Sequence, residues 1–96
     1  MISVLTTTGH VLVAISIDPN SRVRDIATTV NVTERTVIIS IAQLIEAGMV
    51  TVEKTGRRNT YTVDLEQIVL VGPKPLKIRE LVELATNESK NDTNHE

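Results

Sequence analysis

The chain has no cysteine, no tryptophan and no phenylalanine, and Tyr61 is its only aromatic residue. Without cysteine there are no disulfides, no zinc-finger sites and no thiol redox chemistry. Without aromatics the core must be aliphatic, and the stacking platforms that usually hold unpaired RNA bases are missing. Histidine is nearly as scarce: His10 and His95 lie far apart and without ligand spacing, so no metal site is expected. Glycine occurs only as the isolated Gly9, Gly48, Gly56 and Gly72, which excludes a glycine-rich phosphate loop. No Ser–His–acid or paired-carboxylate arrangement has spacing support. The expectation is therefore a protein that binds rather than catalyses, with no cofactor and no evident small-molecule ligand. The opening MISVLTTTGHVLVAISI lacks a basic leader, and its apolar run is too short to span a bilayer. A soluble, cytoplasmic setting with no membrane partner is expected.

What is present is enough for one small domain. The 96 residues are 41% hydrophobic, which supports a compact aliphatic core. The net charge is −2, but its distribution is uneven. Between Arg22 and Arg58, six cations stand against four anions, a surplus of two. From Asn59 onward, four cations stand against seven anions, a deficit of three. A weakly basic middle with an acidic end suits a DNA-binding face with a solvated remainder.

Hydrophobic periodicity divides the chain. Thr6 or Thr7 can cap a first helix running to about Ile17, with Val11, Leu12 and Ile15 inward, after a short extended segment at 2–5. Asp18-Pro19-Asn20-Ser21 stops it, because proline has no N–H to continue a helix. A second helix follows over about Arg22 to Val30, capped by Asn20 or Ser21, with an apolar stripe at Val23, Ile26, Ala27 and Val30. Asn31-Val32 makes a tight connection. Thr33 caps a third helix that ends at Gly48, a usual left-handed terminator. The pattern then becomes strand-like: MVTVEK (49–54) and NTYTVD (59–64) flank a Thr55-Gly56-Arg57-Arg58 turn. Ile68 to Val71 suits a third strand or a packed loop. Pro75 suits the first turn of a fourth helix, with Ile78, Leu81, Val82, Leu84 and Ala85 on its apolar side. Residues 87–96 are polar and expected to be disordered.

Two short helices joined by a tight turn make a helix-turn-helix, and the hairpin adds a wing. The mechanism of that motif needs the second helix held at a fixed angle so that its first residues meet base edges in the major groove. Those residues are Thr33, Glu34, Arg35 and Thr36, with Ile39, Ser40 and Gln43 further along. Arg35 suits a guanine or a phosphate, and Gln43 an adenine or a phosphate. Ile39 shares the outer face with Thr36 and Gln43 and suits a thymine methyl or a protein partner. Ile38 and Ile45 flank the inner stripe and are expected to be buried against the wing or the first helix. Lys54, Arg57, Arg58 and Asn59 crowd the wing tip, where long cations can track phosphates. Arg22 and Arg24 open the second helix, where cations oppose the helix dipole and a phosphate contact would offset the misfit.

The pieces GHVLVAISIDP, VRDIA, VTERTV, EAGMV and GRRNTYTV, over about residues 4 to 64, resemble the short winged-helix proteins grouped with the MarR and ArsR-type bacterial transcriptional regulators. The resemblance implies a winged-helix fold, DNA binding and commonly a homodimer, with Thr33 to Thr36 on the major groove and Arg57, Arg58 and Asn59 in the wing. The chain departs from that pattern at Ile38 and Ile39, where relatives often carry polar or basic residues. It also lacks the cysteine metal box of metal-sensing ArsR proteins and the aromatic ligand pocket of larger MarR proteins.

The expected architecture is thus α+β: a winged helix-turn-helix of three helices and a β-hairpin wing, plus a C-terminal helix, in one domain over 1–86. The expected partners are double-stranded DNA and a second copy of the chain, joined through the C-terminal helix and the N-terminal segment. The alternative is a winged-helix protein–protein contact module, favoured by Ile38, Ile39 and Ile45 and by the negative net charge.

Overall fold

The computed structural model describes residues 5–94, with side chains to Thr86. Residues 2–4 of the expected extended segment, and residues 95–96, lie outside the described residues. The protein is α+β, with element order α1 (Thr7–Ile17), α2 (Val23–Val30), α3 (Glu34–Glu46), β1 (Val50–Thr55), β2 (Arg58–Val63), β3 (Ile68–Val71), β4 (Lys74–Lys77) and α4 (Ile78–Asn94). It forms two compact units, one up to Val63 and one from Asp64.

In the first unit α1, α2 and α3 pack on one another, and β1 packs on α3. The core is aliphatic apart from one ring: Val11, Leu12 and Ile15 of α1, Ile26 and Ala27 of α2, Val37, Ile41 and Leu44 of α3, with Val50 and Tyr61 of the hairpin. The caps are local and explain the helix limits. Thr6 Oγ1 accepts from the Gly9 N–H at 3.1 Å, and Thr33 Oγ1 accepts from the Thr36 N–H at 3.1 Å, each occupying a backbone donor with no partner inside its helix. Asn31 ends α2 at φ 65°, a left-handed conformation that asparagine tolerates. Gly48 follows α3 at φ 78°, and the Met49 N–H closes the end by donating to Leu44 O at 3.0 Å.

The β1–β2 hairpin is antiparallel, with Val50 opposite Val63 and Thr55 opposite Arg58. Its loop is therefore Gly56-Arg57, shorter than the expected four-residue turn. Gly56 holds φ 63°, which a two-residue hairpin loop demands and a side chain would oppose. α2 begins one residue later than expected, with Arg22 as its N-cap and no side-chain cap bond, so neither Asn20 nor Ser21 caps it.

The second unit differs more from expectation. Ile68–Val71 is a strand, and it pairs antiparallel with Lys74–Lys77 across a Gly72-Pro73 loop. Pro75 lies in β4 opposite Leu70, not in the first turn of a helix. A two-stranded ribbon has free edges, so the missing proline N–H costs no ladder bond there. α4 starts at Ile78, where Glu80 Oε1 accepts from the Lys77 N–H at 3.1 Å, the reach-back half of a capping box. The helix continues to Asn94, so the backbone of 87–94 is helical where a disordered tail was expected. Glu66 accepts from Lys77 Nζ at 3.0 Å and from Arg79 Nε at 2.8 Å. Those two bonds, the Lys77 one foremost, hold its carboxyl below the usual glutamate range.

Candidate nucleic-acid interface

The α1–α2 corner and the outer hairpin strand are tied together. Asp18 Oδ1 accepts from the Asn20 N–H at 3.1 Å, and the Ser21 N–H donates to Asp18 O at 3.1 Å, which folds the loop into a turn. The turn exposes its own carbonyls to β2. Pro19 O accepts from the Tyr61 N–H at 3.1 Å, and Asn20 O accepts from Arg58 Nη2 at 3.1 Å. Thr60 Oγ1 also donates to Asn20 Oδ1 at 3.3 Å. Tyr61 is 4% exposed and anchors the strand from the core side.

These ties create a concavity of about 340 Å³ whose polar rim is Asn20, Ser21, Arg22, Arg57, Arg58 and Asn59. Arg22, Arg57 and Arg58 line one hollow, and among the described residues no acidic one lines it. The three arginines are exposed, and Arg58 is also held by its bond to Asn20 O. The α2 N-terminus opens beside them, since Arg22 as N-cap leaves the first amides without a side-chain acceptor. Asp25 sits in that first turn but outside the hollow. Local positive charge, planar donors and open amides together suit an oxyanion such as a phosphodiester. The sequence pattern marked Arg22, Arg57, Arg58 and Asn59 separately. Asn20, Ser21 and Tyr61 were missed as site residues, because Asn20 and Ser21 read locally as a helix stop and cap, and Tyr61 as a strand residue.

No protein-family model matches the chain, and no curated protein matches it in sequence.

The remaining candidates lie on α3, α2 and β1. Thr33, Glu34, Arg35 and Ile39 are exposed, and Thr36 is half-buried. Thr33 and Thr36 spend part of their polarity on each other, with hydroxyl oxygens 2.9 Å apart. Arg24 is exposed on α2 and Lys54 on β1, opposite Asn59. Two expected positions change. Ser40 is 3% exposed, in the inner stripe with Val37, Ile41 and Leu44, so it cannot face a base edge. Gln43 is exposed, but its Oε1 accepts from Thr8 Oγ1 of α1 at 3.0 Å, which turns the amide towards the first helix. Ile38 and Ile45 were expected to be buried, and instead are 57% and 39% exposed. With Ile39 at 49% they put three isoleucines on the exposed side of α3, among Glu34, Arg35, Gln43 and Glu46.

A second hollow of about 540 Å³ is lined mainly by aliphatic residues, Val13, Ala14 and Ile17 of α1 with Val30 and Val32, and also by Thr7, His10 and Thr29. In the other unit Ile68, Leu70 and Leu84 are large exposed aliphatics. Among the described residues no three His, Asp or Glu side chains gather as a metal set, and no helix is long and apolar enough to cross a membrane.

Proposed function

We propose that this chain is a winged helix-turn-helix transcriptional regulator that binds duplex DNA, with α3 as the recognition helix and β1–β2 as the wing. The observation that carries the reading is the acid-free hollow shared by Arg22, Arg57 and Arg58. Backbone phosphates supply most of the affinity of such complexes, and clustered guanidinium groups are what they need. The order of elements supports it: α2, a tight turn, α3, then a hairpin, as does the resemblance of VRDIA, VTERTV and GRRNTYTV to MarR and ArsR-type regulators. In this reading Arg22, Arg57, Arg58 and Asn59 grip phosphates, with Arg24 and Lys54 adding charge. Thr33, Glu34, Arg35 and Thr36 meet base edges.

The regulator acts as a homodimer, so that two recognition helices meet half-sites about one helical turn apart. The apolar hollow on α1 and α2, and the exposed aliphatics of the second unit, supply surface for a second copy.

A second reading has its own observation. The exposed Ile38, Ile39 and Ile45 suit a winged helix that docks on protein instead. Titration of random-sequence duplex with the full chain separates the two. A DNA binder loses affinity steeply as salt rises. No binding at low salt overturns the DNA reading and leaves the protein-contact one.

A further inference from the structure

Every residue lining the hollow at the start of α2 except Val23 carries a side chain that can donate a hydrogen bond, and among the described residues no acid lines it. Arg58 is already oriented there. Its Nη2 donates to Asn20 O at 3.1 Å, and Asn20 is itself held by Asp18 and Thr60. The rest of the planar donor fork of Arg58 is left for a ligand. A donor placed before binding costs less to order than a free side chain. No residue of α3 lines the hollow. A ligand small enough to enter therefore meets the whole donor set without touching α3.

Size and charge select the ligand. The volume of about 340 Å³ lies at the lower end of small-ligand sites, roughly 300–1,000 Å³. Arg22, Arg57 and Arg58 bring three positive charges. A backbone phosphodiester brings one negative charge and leaves two of them unmatched. A phosphomonoester brings about −1.5 to −2 at neutral pH and three acceptor oxygens, the closer match in both charge and donors. We infer that the hollow is a site for a small phosphomonoester or free phosphate, and that filling it releases duplex DNA. The site stands on the hollow alone, and the release rests on the DNA-binding reading above. The ligand takes the phosphate grip of α2 and the wing and leaves α3 free, so release is independent of the duplex sequence.

Calorimetric titration of the full chain at constant ionic strength, with glycerol phosphate, inorganic phosphate and dimethyl phosphate, tests the site. The first two should bind at least about tenfold more tightly than dimethyl phosphate, which carries the single charge of a backbone group. Equal affinity for those two assigns free phosphate as the ligand, and tighter glycerol phosphate assigns a phosphorylated small molecule. Arg57→Ala should weaken glycerol phosphate about tenfold. Arg57 is exposed in the hairpin loop, so the variant should keep the wild-type thermal midpoint. From about pH 7.5 to about pH 5, wild-type affinity for glycerol phosphate should fall about tenfold, since a second pKa near 6 leaves about a tenth of it doubly charged at the lower pH. The hollow itself is lined by no acid and no histidine. Equal affinity for all three ligands, or an Arg57→Ala variant that binds as wild type does, overturns the site. Random-sequence duplex bound to the full chain should be lost as glycerol phosphate saturates it at constant ionic strength. Saturation with no loss of duplex affinity overturns the release. Glycerol phosphate bound by a chain that binds no duplex at low salt overturns the DNA reading and leaves the site.

Discussion

At the scale of single residues, position on α3 decides what a side chain can do. Leu44 and Ile39 are both aliphatic, but one is buried and the other half in water. Leu44→Ala should cost about 2–5 kcal/mol, because it leaves a cavity as well as losing burial. Ile39→Ala should stay within about 0.5 kcal/mol of wild type. Urea denaturation of the two variants checks the contrast, and equal losses would contradict the assignment of faces. Ser40 gives a sharper case. Ser40→Gln, a change that would enlarge a base-reading side chain, should instead overpack the core and cost about 1–3 kcal/mol. The arginines of the hollow behave in the opposite sense. All three are exposed, so removing Arg22 or Arg57 should change binding without lowering the denaturation midpoint, whereas removing Arg58 also breaks its bond to Asn20 O.

At the scale of elements, caps and local ion pairs set the boundaries. Thr33→Ala should destabilise the protein by about 1 kcal/mol, since the Thr36 N–H then loses its acceptor. Glu66 joins the segment before β3 to Lys77 and Arg79 at the start of α4. Its carboxyl titrates below the usual glutamate range, held there first by the Lys77 bond. A depressed folded-state value means its contribution is present above the ordinary glutamate pKa and is lost as pH falls through the depressed one. NMR titration of the Glu66 side-chain carbon should show the lowered midpoint, and Lys77→Ala should raise it. Both groups are exposed, so the effect on overall stability is small.

The elements whose signals are local were legible in the sequence. Val11, Leu12 and Ile15 recur at helical spacing, Thr33 and Gly48 mark both ends of α3, and Val-Thr-Tyr runs around Gly56 mark the hairpin. Of the β3–β4 ribbon, β3 was legible as one of two readings of Ile68 to Val71, and β4 was not, because Pro75 fits a helix start as well as an edge strand. Ser40 misled through its polarity, although its spacing from Val37 and Leu44 placed it in the inner stripe. Ile38 and Ile45 misled in the other direction: hydropathy alone does not tell which side of an aliphatic-rich helix faces water. The hollow itself depends on Pro19 and Asn20 meeting Tyr61, Arg58 and Thr60, contacts between residues remote in sequence. No local pattern announces them.

At the scale of the whole molecule, the proposed partners fall on two kinds of surface: a cationic one for duplex DNA and apolar ones for a second copy. Sedimentation of the full chain at micromolar concentration should give a dimer, and a monomer alone would contradict the symmetric-site account. The central claim is that the hollow between the α2 N-terminus and the hairpin grips phosphates. The measurement that meets it most directly is the salt dependence of duplex binding, compared between wild type and a variant carrying Arg22→Ala, Arg57→Ala and Arg58→Ala. The account predicts that log K falls linearly with log salt, and that the variant's slope is shallower by about 0.9 for each phosphate contact removed. Equal slopes in the two proteins would contradict it.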